Sequence, residues 1–364
     1  MNQMVDHEVL RSVVGSSEFT ASKGTVTPVK VAPAKPKTHM DHPGAVISLQ
    51  SAFNLALKDD PSLRGMAPGN PYAPEVDPEY VFALDRFRDL LSFWVLGFRA
   101  LKIIGDPAAG KTSIVEQWHA RLGWPLFIVS CHENMSETDL IGQLVPQVDG
   151  SLKWLDSPLM AVYRHGGSVL LDEWNNLNPN AATILNAMLE GYTITIPQTG
   201  EIVKPHRAAR YYATQNPIDG KAVVQGRYLQ DSASDDRFME MRVDYLSAEL
   251  ETRIISSAYR KLDSDSSSEA VLALASSLVK VANEVREKFK NNHLASNQHF
   301  TKPLSTRSLK RWAQLIFAYR SVKEQVPMLY ALTRAVSSLT EEMREGIETI
   351  VKKELGLDKK SNGS

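Results

Sequence analysis

The fold is decided by the stretch LKIIGDPAAGKT, residues 101–112, which joins an apolar strand, a glycine turn and the start of a helix. It matches the pattern G-x-x-x-x-G-K-[ST] of a phosphate-binding loop. In such a loop, backbone N–H groups and the positive end of the helix dipole face a polyphosphate. The pattern therefore predicts that the following residues bind a nucleotide: Gly105, Asp106, Pro107, Ala108, Ala109, Gly110, Lys111, Thr112 and Ser113.

The individual residue types in this loop suit separate tasks. Gly105 and Gly110 allow the backbone to curve around phosphate. Lys111 would reach the β- and γ-phosphates of ATP, and the Thr112 hydroxyl would help to hold Mg²⁺. A chance match is expected in roughly one chain in a hundred of this length, and a helical apolar pattern directly after the loop lowers that figure. The loop does not read the base, so GTP stays open as an alternative to ATP.

The composition is that of a globular protein with room for two compact units. The chain has 364 residues, of which 43% are hydrophobic and 23% charged, and its formal net charge is -1. This balance neither indicates nor excludes nucleic acid as a partner. Cys131 is the single cysteine, which excludes an intrachain disulfide and is typical of a reducing compartment, so we expect a cytoplasmic protein. Charged residues interrupt the most apolar segment, 90–104, so no membrane span is expected.

Changes in composition divide the chain into five parts. Residues 1–42 are poor in large apolar side chains and predict a flexible arm, either a solvated tail or a contact for a partner or a nucleic acid. Residues 43–77 predict a connector with one short helix. Residues 78–246 predict an α/β core that opens with a helix at Pro78, residues 247–355 a smaller all-α lid domain, and residues 356–364 a polar tail.

Apolar runs alternate with helical patterns in the core. Runs at 124–131 and 168–173 have the continuous hydrophobicity of strands covered on both faces, and segments 210–215 and 239–245 predict two further core strands. Together with the loop strand they predict a doubly wound parallel sheet. Two further segments, 139–154 and 191–204, predict an insertion with a hairpin and a separate β-hairpin.

Polar side chains at strand ends are the candidate catalytic groups. Asp172 and Glu173 end an apolar strand, where Asp172 would hold Mg²⁺ through water and Glu173 would polarise the attacking water. The alternative is a charge pair at a helix start. Asn216 ends the next strand, where its amide would contact the attacking water or the γ-phosphate, although Asn-Pro is also a common turn.

These motifs occur in the order seen in AAA+ ATPases: GDPAAGKT, SVLLDE, ATQNP, DDRF at 235–238 and STRSLKRW at 305–312. The insertion and the hairpin before ATQNP resemble the MoxR-like branch, and the tract GRYLQDSASDDRFMEMRVDYL is similar to the ATPase-subunit group of aerobic cobaltochelatases. The resemblance covers residues 78–319.

The resemblance implies roles that spacing alone does not. It implies a hexamer with ATP at the subunit interfaces, Asn216 as sensor 1, Arg237 as a finger that reaches the neighbour's γ-phosphate, and Arg307 as sensor 2. A planar guanidinium suits phosphate oxygens. The alternatives are a salt bridge from Arg237 to an adjacent aspartate, Asp235 or Asp236, and a helix-start contact for Arg307. Four neighbours could be confused with these arginines: Arg227, Arg242, Lys310 and Arg311.

Two features depart from the family or invite another interpretation. Ala108 stands where the family commonly has Gly, and alanine tolerates unusual backbone angles less well. The triplet Cys131-His132-Glu133 has no matching ligands at metal-site spacing elsewhere, so we assign it no metal or nucleophile role.

The function predicted is that of a ring-forming MoxR-like AAA+ ATPase that remodels or activates a partner protein. Segments 139–154 and 192–204 would face the pore or that partner, and the family implies one with a von Willebrand factor A domain. Alternatives are the motor subunit of a cobalt- or magnesium-chelatase complex and a nucleic-acid-associated motor or clamp. The intact Glu173 disfavours a scaffold without hydrolysis.

Overall fold

The computed structural model describes residues 38–217, 235–291, 300–321, 326–336 and 339–356. The chain divides into two compact units, Met1–Gly105 with Gly110–Val243 and Asp106–Ala109 with Asp244–Ser364. Most of the predicted arm and most of the polar tail lie outside the described residues. The last residues of the arm are not a free tail, because His39 is buried and its Nε2 lies 2.6 Å from the carbonyl oxygen of Gly166.

The segment predicted as a connector contains a small sheet. Strands β1 (Gly44–Ser48) and β2 (Ser62–Met66) pair antiparallel and flank a short helix, α1 (Leu49–Phe53). The sheet packs on the core, since a Cβ on Gly65 would lie only 2.3 Å from the carbonyl oxygen of Leu122. The prolines and glycines that suggested a connector stand around these short strands and hide their signal.

The core of the first unit is a five-stranded sheet whose pairings are all parallel. Its strands lie in the order Met239–Arg242, Ala100–Ile104, Ala209–Gln215, Gly167–Asp172 and Leu126–Ser130, which confirms the predicted parallel α/β sheet. The elements after β2 are, in chain order, α2 (Leu84–Val95), β3 (Ala100–Ile104), α3 (Lys111–Leu122), β4 (Leu126–Ser130), α4 (Glu137–Ile141), β5 (Gly142–Pro146), β6 (Leu152–Asp156), α5 (Pro158–His165), β7 (Gly167–Asp172), a 3₁₀ turn (Trp174–Asn176), α6 (Pro179–Glu190), β8 (Ile194–Ile196), β9 (Glu201–Val203), β10 (Ala209–Gln215) and β11 (Met239–Arg242).

Burial on both faces explains why the apolar runs form central strands. Every residue of β10 is buried, including Tyr211 and Tyr212, whose side chains point to opposite faces of the sheet. Strands buried in this way lack an alternating pattern and appear as continuous apolar runs. The sequence therefore located these strands to within a few residues.

Helix α2 begins later than predicted, at Leu84 rather than near Pro78. Residues 77–80 form a turn in which the Tyr80 N–H donates to the Asp77 carbonyl. Arg121 Nη2 donates to the carbonyl oxygens of both residues, at 3.0 and 3.3 Å. This arginine takes the carbonyl groups that a helix would use for its own first bonds.

Both predicted hairpins are confirmed. Strands β5 and β6 pair antiparallel between α4 and α5, and β8 pairs antiparallel with β9 before the sheet resumes at β10. They interrupt helical and strand segments of the core without joining its sheet.

The second unit is helical after residue 247. It contains α7 (Ala248–Arg260), α8 (Ser268–Asn291), α9 (Thr306–Ala318), α10 (Pro327–Ala335) and α11 (Glu341–Glu354). The fully buried Trp312 lies in its apolar core and donates from Nε1 to the carbonyl oxygen of Met328 at 2.8 Å. In the described part of the chain, no helix is both long and apolar enough to cross a membrane.

Candidate nucleotide site

The predicted phosphate loop connects β3 to α3 with a tightly constrained backbone. A Cβ on Gly105 would lie 2.0 Å from the carbonyl oxygen of Val243, so only glycine fits there. Gly110 caps α3 with φ of 93°. Ala108 adopts φ of 57°, a left-handed conformation that costs an L-residue about 1–2 kcal/mol. At this position, where the family commonly has Gly, the chain thus keeps a backbone conformation that suits glycine although the residue is alanine.

Lys111 ties the loop to the neighbouring strand. Its Nζ donates to the carbonyl oxygen of Gly105 at 2.7 Å and to Asn216 Oδ1 at 2.9 Å. Strands β3 and β10 are adjacent and parallel, with Ile104 paired to Gln215, so their carboxyl ends meet at one edge. The structure brings together two of the residues predicted for the site, Lys111 and Asn216.

Asp172 lies at the same edge and accepts two hydroxyl hydrogen bonds. Thr112 Oγ1 and Thr214 Oγ1 both donate to Asp172 Oδ1, at 2.9 and 2.5 Å. The pairing of Ala213 with Leu171 in the parallel register places Thr214 level with Asp172. Thr112 and Asp172, the two predicted metal ligands, are therefore in direct contact.

Glu173 leaves the strand in a strained conformation. Its φ is 57°, and its N–H donates to Thr214 Oγ1 at 3.0 Å. Asn176 Nδ2 donates to Glu173 Oε2 at 2.8 Å and fixes the direction of the carboxylate. Left-handed non-glycine residues persist where surrounding contacts impose them and often occur at functional sites. Glu173 also directly precedes the 3₁₀ turn Trp174–Asn176 as its N-cap residue.

Cys131 lies close to Asp172 and Glu173 but has an unreactive thiol. The side chain is 4% exposed, and burial, followed by the charges of Asp172 and Glu173, raises the pKa of the thiol to about 12. A thiol with that pKa stays protonated at neutral pH and is a poor nucleophile. His132 and Glu133, the next two residues, are exposed.

Comparisons with known proteins agree with this geometry in both units. Residues 100–238 match the AAA domain of the dynein-related subfamily, and residues 265–354 match the CbbQ/NirQ/NorQ C-terminal family. The first match covers the whole α/β site, and the second covers most of the helical unit. The chain carries an AAA ATPase domain followed by a CbbQ/NirQ/NorQ C-terminal region.

Curated relatives of this ATPase include the aerobic cobaltochelatase subunit CobS of Sinorhizobium sp, which is 26% identical over 295 residues, or 76% of this chain and 84% of CobS. The denitrification regulatory protein NirQ of Stutzerimonas stutzeri is 29% identical, over 53% of this chain and 65% of NirQ. Protein NorQ of Paracoccus denitrificans is 31% identical, over 40% of this chain and 51% of NorQ. Among solved structures, a putative ATPase from Cytophaga hutchinsonii has a TM-score of 0.39 and 19% identity, over 76% of this chain and 91% of that one.

Arg237 lies near the opposite edge of the sheet from the phosphate loop. It comes two residues before β11, which pairs with β3 in the register Met239 to Leu101 and Arg242 to Ile104. At about 3.3 Å per residue, that strand spans roughly 10 Å between the two edges. The backbone of the predicted finger thus lies at the other end of β11 from the phosphate loop of its own chain.

The partner of Arg237 differs from the alternatives considered from sequence. Arg237 Nε lies 3.1 Å from Oε1 of Glu190, the last residue of α6. Asp235 instead pairs with Lys102, whose Nζ lies 2.9 Å from its Oδ1 and whose side chain is buried in β3. No local signal in the sequence connects Arg237 with Glu190, because 46 residues lie between them in the chain.

Arg307 is an exposed residue in the first turn of α9, in the second compact unit. Ser305 caps this helix, since its hydroxyl accepts from the Ser308 N–H at 3.1 Å. The confusable residue Arg242 is 79% exposed and pairs with Glu240. Arg227 lies outside the described residues.

Sequence reasoning missed two polar residues of the site, Thr214 and Asn176. Thr214 contacts Asp172 and the Glu173 N–H, and Asn176 contacts the Glu173 carboxylate. Thr214 lies inside the quoted ATQNP motif, so its position level with Asp172 was a usable signal. For Asn176 the only available signal was its spacing of three residues from Glu173.

Proposed function

We propose that this ATPase works as a ring, most simply a hexamer, and couples ATP hydrolysis to the remodelling or activation of a partner protein. One observation carries the proposal: Lys111 is hydrogen-bonded to Asn216, and Thr112 to Asp172, at the carboxyl ends of the strands, while Arg237 lies near the opposite strand ends. An arginine so placed suits the active site of a neighbouring subunit better than that of its own.

Mg²⁺ suits the oxygen donors of the proposed site. The described residues contain no group of three or more His, Cys, Asp or Glu side chains that could hold a metal. Mg²⁺ does not need one, because it is commonly bound by one or two carboxylates together with phosphate oxygens and water. Thr112 and Asp172 would hold the ion, which would neutralise charge on the phosphates during transfer. Lys111 would contact the β- and γ-phosphates.

Glu173 and Asn216 would handle the attacking water. The Glu173 carboxylate would accept its proton, with Asn176 keeping that carboxylate in one direction. The Asn216 amide, held by Lys111, would orient the water or the γ-phosphate. Arg237 of a neighbouring subunit and Arg307 would stabilise the charge that develops on the phosphate oxygens.

The partner would contact the two hairpins, segments 139–154 and 192–204. Each exposes large apolar side chains, including Val148 and Leu152 on the first and Tyr192 and Ile202 on the second. Exposed apolar residues on projecting elements favour protein contact. By analogy with the MoxR-like family, we propose a partner that carries a von Willebrand factor A domain.

A chelatase motor is the second candidate function. It is favoured by the alignment with the cobaltochelatase subunit CobS, which covers 84% of that protein. In this version the partner would bind a tetrapyrrole. Reconstitution with chelatase subunits should then give ATP-dependent cobalt insertion, and a partner of another class would contradict it.

The decisive experiment uses Glu173→Gln as a trap, with Glu133→Gln as the matched control. Glu173→Gln should bind ATP but hydrolyse it at least roughly tenfold more slowly, the low end of what a positioned general base contributes. Glu133 is an exposed carboxylate after β4 and should be replaceable without effect. The protein that copurifies with the ATP-bound trap would be identified by mass spectrometry.

Two results would contradict the proposal. Wild-type turnover in Glu173→Gln would remove Glu173 from the mechanism. ATP hydrolysis stimulated by DNA, with salt-sensitive DNA binding, would favour the nucleic-acid-associated motor instead.

A further inference from the structure

The second unit contains a buried ion pair whose cost calls for an explanation. Arg286 of α8 donates from Nη1 and Nη2 to Oε2 and Oε1 of Glu251 in α7, both at 2.8 Å. The side chains are 5% and 0% exposed. Apolar replacements of such buried pairs are often neutral or stabilising. Stability alone is therefore a weak reason for this pair, and its other contacts indicate what it does.

On one side the pair holds the start of α9. Arg286 Nε donates to the carbonyl oxygen of Leu304 at 2.8 Å, and Thr306 Oγ1 donates to Glu251 Oε1 at 2.6 Å. Leu304 and Thr306 flank Ser305, the residue that caps the helix. The first turn of α9 is thereby fixed from both sides of its cap.

On the other side the pair reaches the phosphate loop. The Arg286 guanidinium carbon lies 3.9 Å from the centroid of the Tyr245 ring, and Tyr245 Oη donates to the carbonyl oxygen of Pro107 at 2.9 Å. Burial, and then the nearby charge of Asp106, raises the pKa of Tyr245. The phenol thus stays protonated and can donate at neutral pH.

We propose that Tyr245, Arg286 and Glu251 are positioning residues that couple the conformation of the phosphate loop to the orientation of Arg307. Arg307 directly follows Thr306, which Glu251 holds, so a shift of the Pro107 carbonyl changes the support of the turn that carries Arg307. The inference rests on the proposed role of Arg307 in ATP hydrolysis. Packed and hydrogen-bonded chains of this kind are the physical route by which two positions can be coupled.

Tyr245→Phe tests the coupling with little risk to the fold, because it removes one hydroxyl and keeps the ring over Arg286. The rate kcat and the KM for ATP would be measured for the full chain, for Tyr245→Phe, for Arg307→Ala and for the double variant. Tyr245→Phe should lower kcat roughly two- to tenfold, the range of one hydrogen bond. Arg307→Ala should then lower kcat by a factor at least about twofold smaller in the Tyr245→Phe background than in the wild type.

Tyr330→Phe is the matched control. Tyr330 lies in the same helical unit, and its ring also carries a guanidinium, that of Arg334, at 3.7 Å. In the double variant, the fold-changes in kcat caused by Tyr330→Phe and by Arg307→Ala should simply multiply, which means that the two positions are not coupled.

Thr306 gives a second, independent arm. Thr306→Val keeps the shape but removes the hydroxyl that Glu251 accepts from, so it should lower kcat and couple with Tyr245→Phe. Thr306→Ser restores a hydroxyl and should return kcat to near the wild-type value. A purely structural role would change the thermal midpoint without this rescue of kcat.

The outcomes separate the two levels of the argument. If Arg307→Ala lowers kcat but multiplies fully with Tyr245→Phe and Thr306→Val, the coupling is overturned and the proposed role of Arg307 stands. If Arg307→Ala changes neither kcat nor KM, both are overturned.

Discussion

Lys111 Nζ lies 2.9 Å from Asn216 Oδ1, so the phosphate loop after β3 is bonded directly to the end of β10. Its two hydrogen bonds, to the Gly105 carbonyl and to Asn216, fix the ammonium group between the carboxyl ends of β3 and β10. The ammonium group of Lys111, proposed to bind phosphate, thus also holds the side chain of Asn216, proposed to sense it.

We expect Lys111→Ala to weaken nucleotide binding by roughly 10- to 100-fold, because a hydrogen bond to a charged group contributes about 1.5–3 kcal/mol. Titration with a fluorescent ATP analogue measures the Kd. Lys58→Ala, at an exposed lysine outside the site, is the control and should bind normally. Unchanged affinity in Lys111→Ala would refute the loop assignment.

We expect Arg237→Ala to lower ATP hydrolysis by about a thousandfold, the low end for an arginine finger. Arg237 lies near the strand ends opposite its own loop. Mixing Arg237→Ala with Glu173→Gln subunits should therefore restore part of the activity, at interfaces where the intact Glu173 of one subunit meets the intact Arg237 of the other. The measurement is the hydrolysis rate across mixing ratios, with mixed rings confirmed by mass. Arg242→Ala removes an exposed arginine at the far end of β11, the strand that begins two residues after Arg237. If that variant loses activity and Arg237→Ala does not, the finger has been assigned to the wrong residue.

We expect Ala108→Gly to stabilise the protein by up to about 1 kcal/mol, since glycine relieves the left-handed strain but loses more entropy on folding. The thermal midpoint should rise by roughly 2–4 °C. Ala109→Gly provides the comparison, because Ala109 is buried and is absent from the positive-φ residues; it should lower the midpoint. A lower midpoint for Ala108→Gly would show that position 108 carries no strain.

We expect the protein to lose stability as the pH falls from about 6.5 to about 4, in part through His119. Burial lowers the pKa of this fully buried histidine to about 4, while its Nδ1 donates to the Val115 carbonyl at 2.7 Å. Between those two pH values the unfolded chain binds a proton that the folded chain does not, so the free energy of unfolding falls by on the order of 3 kcal/mol.

The His119 contribution can be isolated by comparing urea midpoints at pH 7 and pH 5. His119→Gln should reduce the difference between the two midpoints, because glutamine does not titrate. His132→Gln, at an exposed histidine, should leave the difference unchanged. Equal pH sensitivity in wild type and His119→Gln would contradict the assignment to His119.

The sequence predicted the central sheet well because burial on both faces leaves a strong local signal. The strand β7 is a mostly apolar run, and the polar residues at the ends of β7 and β10 mark the site. The small sheet of β1 and β2 and the later start of α2 were missed because they depend on distant contacts, such as that of Arg121 with the Asp77 carbonyl. The pairing of Arg237 with Glu190 and the group around Arg286 also join segments far apart in the chain, where spacing carries no information.

The buried, protonated state of Cys131 makes this protein a convenient subject for site-specific labelling. Cys131 is the only thiol in the chain, and maleimide reagents react with exposed thiolates. A cysteine introduced at Val148, which is fully exposed between β5 and β6, would therefore carry a dye or crosslinker almost exclusively. Contact between that hairpin and a captured partner could then be followed in the otherwise native chain, without first removing a reactive background residue.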